Sequence, residues 1–199
     1  VPQLTAVEPS AYLSGDDVVD SGHPAVARLA ADLRTRHAED DAFARGAFEH
    51  VRDRIRHSFD ADDPRVTVTA PEVLREGVGL CYAKAHLLAA LLRAGGVPAG
   101  LCYQRLTDDG KTFVVHGLVA VHLHGTWHRQ DPRGNEPGLD AQFSLDGERL
   151  AWPVRPDLGE RDHPVIHVRP HPDVLAALRS TDDIRTLRRG GLPSDLHLP

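Results

Sequence analysis

The stretch CYAKAHLLAALLRAGG (81–96) limits what this chain can become. Its alanines and leucines favour helix, and the Gly-Gly pair followed by Pro98 stops it. Apolar side chains cover most of the helix circumference, which predicts a helix buried nearly all round rather than an amphipathic one on a surface.

The other elements are read from periodicity and turn chemistry. Residues 1–23 are polar and irregular, with Asp20 or Ser21 as a helix cap and Pro24 in the first turn that follows. AVARLAADLRTR (25–36) spaces its apolar residues as one helix face. DAFARGAFEHVRDRIRHSF (41–59) does the same against a charged opposite face, predicting an amphipathic surface helix. DADDPRVTVTA (60–70) reads as a loop, and PEVLREG (71–77) as a short helix from proline to glycine. AGLCYQRL (99–106), TFVVHGLVAVHL (112–123) and TWHRQDP (126–132) read as strands. The last two join through His124-Gly125, a two-residue connection that makes a tight antiparallel hairpin. In the tail, HPVIHVRP reads as a further strand and HPDVLAALRSTDDIRTLRR as a late helix.

Helices first, then antiparallel strands, then a helix make an α+β domain. A single domain over 1–199 is expected, with its core at about 41–135, a helical part at 1–40 and a C-terminal extension at 136–199. The net charge of -6 and the lack of a basic cluster argue against nucleic-acid or membrane partners. Two cysteines are too few for a disulfide framework. With no leader visible at the N-terminus, the expected location is cytoplasmic.

Cys81, His116 and Asp131 form the chemical constellation. Cys81 sits at the first turn of the buried helix, where free N–H groups and the positive end of the dipole favour a thiolate. On the strand 112–123, residues 113, 115, 119, 121 and 123 make an apolar core face, and His116 lies on the other face. With His124-Gly125 as the turn, position 118 opposes 131, so His116 and Asp131 become diagonal neighbours on one face. The thiol would arrive from the helix packed beside the sheet. Thiolate, proton-carrying imidazole and orienting carboxylate are the parts that acyl transfer requires. The helix-start N–H groups, that of Cys81 included, would face the developing oxyanion.

LREGVGLCYAKAHLLAALLRAGGVPAGL resembles the nucleophile region of the transglutaminase-like superfamily, where Gly-x-Cys precedes an alanine- and leucine-rich helix and then Gly-Ile-Pro-Ala. HGLVAVHLHGTWHRQDPRGN is similar to that superfamily's histidine and aspartate strands. AFEHVRDRIRHSFD resembles the helix and strand entry upstream of its cysteine. The tail, with AQFSLDGERLAWPV, is similar to that of small bacterial transglutaminase-like proteins of cysteine protease type. The resemblance implies a papain-like fold, in which a central helix bearing the cysteine packs on an antiparallel sheet bearing histidine and aspartate. It also implies cysteine-dependent acyl transfer through a thioester. Many members carry His-x-Trp where this chain has His116-Gly117-Leu118. Nothing resembles the calcium sites or flanking β-domains of animal transglutaminases.

A peptide, protein or amide substrate is therefore expected, with hydrolysis favoured over crosslinking and no cofactor or metal required. One alternative is a peptide- or partner-binding module on the same fold, with the triad unused. Another is a metal-dependent hydrolase using His163, His167 and His171, whose helical spacing is broken by Pro164, Pro170 and Pro172. Tyr82 and Gln104 are candidates for lining the site or supporting the oxyanion. Trp127, on the His116 face, either shields the His–Asp pair or is ordinary core. Arg133 and Asn135 are placed to pin the loop after Asp131, and Cys102 reads as core.

Overall fold

The computed structural model describes residues 3–197; the first and last two residues of the expected 1–199 domain lie outside the described residues. Helix α1 (Pro24–Arg36) starts at His23 rather than at Asp20 or Ser21, because the His23 Nδ1 accepts a bond from the Ala25 amide at 3.3 Å. Helix α2 (Asp40–Arg54) ends five residues before the sequence pattern predicts. At Ile55 the backbone turns extended, and the chain enters a short strand, β1 (Arg56–His57). Helix α3 (Ala70–Glu76) carries a reciprocal cap between Thr69 and Glu72 and stops at Gly77, which takes the left-handed conformation at φ 64°. Strand β2 (Val78–Gly79) follows and pairs in parallel with β1, His57 lying opposite Gly79.

Helix α4 (Cys81–Ala94) is the central element, and every residue from Cys81 to Arg93 is buried. Its leucines each contribute about 1.5–3 kcal/mol through burial. Lys84, His86 and Arg93, inside the core, each bond backbone carbonyls of the surrounding segments, while the His86 Nε2 is left without a partner among the described groups. Lys84 Nζ donates to the carbonyls of Ile55 and Arg52. His86 Nδ1 donates to Val68 O at 2.7 Å, and the Arg93 guanidinium donates to Ser14, Ala99 and Val168. Three charged or polar groups thus tie the helix to the layers around it.

Strands β3 (Ala99–Thr107), β4 (Phe113–Leu123), β5 (Thr126–Gln130) and β6 (Arg161–Asp162) form one antiparallel sheet in the order β5-β4-β3-β6. His124 (φ 51°) and Gly125 (φ 75°) both lie in the left-handed region, which a tight two-residue hairpin turn demands. Leu123 opposes Thr126, so the hairpin register is the one the turn predicts. One face of the sheet, with Val115, Val119 and Val121, packs into the helical core. The other face is covered too: Tyr12, Cys102, Leu118, Ala120 and Ile166 form a second cluster. Residues 165 and 167 make single bridges to Thr5 and Leu101 rather than the longer strand expected at HPVIHVRP. The expected late helix is broken into α5 (Pro172–Arg179) and α6 (Ile184–Thr186), because Asp183 caps a new helix start. Among the described residues no helix is long and apolar enough to cross a membrane.

Candidate active site

Helix α4 and strand β4 approach closely at Gly117. A Cβ built there would lie 2.9 Å from the Tyr82 ring, 3.1 Å from Tyr82 Cα and 3.3 Å from its amide nitrogen. The glycine after the histidine therefore lets the helix start press against the strand, and Cys81 comes to lie beside His116. Gly117 has a local reason: the residue after His116 must have no side chain if Tyr82 is to pack there.

His116 Nε2 bonds Asp131 Oδ2 at 2.9 Å, leaving Nδ1 for the thiol. Asp131 directly follows β5 and is fully buried. Its Oδ2 also accepts from the Ala151 amide at 3.0 Å, and its Oδ1 from the Arg133 amide at 3.0 Å. Burial alone would raise this carboxyl, but His116 and the two backbone donors hold it below the usual carboxylate range.

The same balance operates on the thiol. Burial pushes Cys81 up, and His116 together with a second imidazole, His57, outweighs it and brings the thiol down to about 6. Burial pushes His116 down, and Asp131 and Cys81 outweigh it in turn, holding the imidazole well above its ordinary value. The arrangement favours a thiolate–imidazolium pair over two neutral groups. Cys102 shows the contrast: it is fully buried with no such partner, and burial raises it to about 12.

His57 reaches the site through β1, whose pairing with β2 sets it opposite Gly79, two residues before the nucleophile. Its Nδ1 faces Asp60 Oδ1 at 3.6 Å. Arg133 bonds both Asp60 oxygens, at 2.6 and 2.8 Å, while its own amide donates to Asp131. Burial raises the Asp60 carboxyl, and His57 and Arg133 overcome this and lower it to about 2. Cys81, His116, Asp131, Arg133, Asp60 and His57 thus form a closed ring of neighbours. The sequence reading of 41–59 as one helix concealed His57, because it continued the helical period past the point where β2 captures the chain.

The remaining candidates fall in different places. Tyr82 is committed elsewhere: its hydroxyl donates to the Val115 carbonyl, so it packs beneath the site and is not free to donate to an oxyanion. Gln104 lies opposite His116 in the sheet register, but its amide donates to Asp162 at 3.0 Å. Trp127 packs against Tyr12 and His122, with ring centroids 4.8 and 5.0 Å away. The tryptophan beside His116 is Trp152, edge-on at 5.0 Å, with the Arg133 guanidinium 5.3 Å from its ring. Asn135 pins the loop by accepting from the Ala141 amide at 2.8 Å. His163, His167 and His171 gather around Tyr103, yet among the described residues no group of three or more His, Cys, Asp or Glu converges to hold a metal ion.

The profile of the transglutaminase-like superfamily matches residues 27–132. The chain belongs to this superfamily. Solved structures with a similar fold include a candidate cysteine protease from Cytophaga hutchinsonii, at 17% identity and a TM-score of 0.51, over 61% of this chain and 40% of that one. The periplasmic domain of TgpA from Pseudomonas aeruginosa is similar at 21% identity and a TM-score of 0.47, over 63% of this chain and 48% of that one. This transglutaminase-like chain therefore spans less than half the length of either, and the likeness to the first is one of fold. No curated protein matches the sequence. The superfamily match ends at Pro132, so Arg133, Ala151 and Trp152 lie beyond the matched region.

Proposed function

We propose that this protein is a cysteine-dependent acyl-transfer enzyme acting on a peptide or amide carbonyl. The observation that carries the reading is the Cys81 thiol at the start of α4 beside His116, whose Nε2 is held by Asp131 at 2.9 Å. The Cys81 sulfur would attack the carbonyl carbon, and the carbonyl π pair would move to oxygen. As the tetrahedral intermediate collapses, the C–N bond breaks and the leaving amine takes its proton from His116. The acyl group stays on sulfur as a thioester. Water then adds with His116 as base, releasing the acid and restoring the thiol. Asp131 keeps the imidazole in the productive orientation throughout. Hydrolysis is favoured over transfer to an amine, because the sequence offers no counterpart of the calcium machinery of animal crosslinkers.

The test is to incubate the protein with activated esters and chromogenic peptide amides, with and without a fluorescent primary amine, and to follow Cys81 by intact mass. Release of free acid through a thioester on Cys81 supports the hydrolytic reading, and amide product in excess of acid shifts it to transamidation. A Cys81→Ala protein with undiminished turnover sinks the proposal. An unreactive Cys81 with tight peptide binding would support the binding-module alternative instead.

A further inference from the structure

We propose that His57 is a catalytic residue of the oxyanion hole, its ring N–H joining the Cys81 amide in holding the oxygen anion of the tetrahedral intermediate. The inference rests on the acyl-transfer reading above and assigns a role that a Cys–His–Asp triad leaves open. Such a reaction needs a donor aimed where negative charge appears, separate from the group that moves the proton. His116 is occupied with the proton. Tyr82 and Gln104 are bonded to Val115 and Asp162 respectively. His57 stands where the missing donor belongs. The register β1–β2 places it opposite Gly79, at the peptide that leads into the helix start whose N–H groups are unpaired.

Its orientation supports the same role. Nδ1 is turned toward Asp60, so Nε2 is the nitrogen left for the thiol and for what the thiol attacks. At 3.6 Å the Asp60 contact is too long for a good hydrogen bond, and Nδ1 has no other partner among the described groups. Both Asp60 oxygens are already bonded by Arg133. The ring is thus steered by a fixed carboxylate without being fully saturated by it. A small shift on substrate binding could close the His57–Asp60 bond while Nε2–H takes the oxyanion. The ring is buried and its Phe59 neighbour stands edge-on at 5.7 Å, so the donor works in a site poor in water.

Two reactions of the same thiolate separate this role from any other. Iodoacetamide alkylates sulfur by displacement and forms no oxyanion, whereas p-nitrophenyl acetate acetylates it through a tetrahedral oxyanion. Plateau rates above the thiol titration are compared, so that changes in thiolate fraction do not enter. His57→Ala is expected to slow acetylation on the order of 10²- to 10³-fold. Its alkylation plateau should move by less than about threefold, which also reports an intact site. His57→Gln, which keeps an N–H donor, should recover part of the acetylation rate. Equal losses in both reactions, or no loss in either, would overturn the assignment while leaving acyl transfer standing. A wild-type protein that alkylates readily but never acetylates would overturn the acyl-transfer reading and this inference with it.

Discussion

Gly117 lies against the backbone of Tyr82 so closely that a β-carbon on it would stand 3.1 Å from Tyr82 Cα. A backbone atom cannot swing aside as a side chain can. Gly117→Ala should therefore push the start of α4 away from β4 and separate Cys81 from His116. The expected cost is about 1–3 kcal/mol of stability, read by chemical denaturation. The Cys81 alkylation profile should move toward that of a free thiol. A variant as stable and as reactive as wild type would show that the contact is slack.

The pH profile of Cys81 follows from its neighbours. Burial raises the thiol and the two imidazoles outweigh this, leaving it at about 6. Alkylation should rise as pH passes through about 6 and then stay flat, where an ordinary thiol would still be rising near about 8.5. His116→Ala should move the midpoint upward. Turnover, unlike alkylation, should fall again at high pH, because His116 must still carry a proton to the leaving group; its descending limb belongs to the coupled pair. Mass spectrometry that resolves Cys81 from Cys102 checks the wild-type and His116→Ala profiles.

Asp131→Asn should damage both chemistry and fold. The carboxylate accepts from His116, Ala151 and Arg133. An amide nitrogen on either side meets a donor where it needs an acceptor. Turnover should fall on the order of 10³- to 10⁴-fold. The unfolding midpoint should also drop, since a buried donor is left without a partner. Single-turnover acetylation and a thermal melt measure the two effects.

Lys84 is a buried amine that burial lowers to about 7. In the unfolded chain a lysine titrates near about 10.4. Between these values the unfolded state binds the extra proton, so this group's contribution to stability rises as pH goes from about 7 toward 10. Lys84→Met removes that dependence and leaves the Ile55 and Arg52 carbonyls without their donor. The expected outcome is a loss of about 1–3 kcal/mol, with the gap to wild type widening as pH is raised. Urea titrations at two pH values test it.

The readable parts of this protein were those governed by local chemistry. The Gly95-Gly96 stop, the short helix from proline to the Gly77 stop and the His124-Gly125 turn each act over a few residues, and each stands where its residue types predict. The hairpin register followed from the turn, and it brought His116 and Asp131 to one face as expected. What local pattern could not convey was pairing between distant segments. His57 continues a helical period in the sequence and leaves the helix because β2 offers a partner. Trp127 does share the His116 face, but it opposes His122, six residues along β4, or about 20 Å away. Trp152 comes from a stretch without period, so only the folded chain brings it to the imidazole.

The Ala151 amide and the Trp152 ring reach the His116–Asp131 pair from outside the matched superfamily region. During synthesis the ribosome delivers thiol, imidazole and carboxylate first, and the segment that steadies them about twenty residues later, roughly one to four seconds at ordinary rates of elongation. Until residues 151 and 152 emerge, Asp131 lacks one of its two backbone donors and His116 lacks the ring that stands edge-on to it.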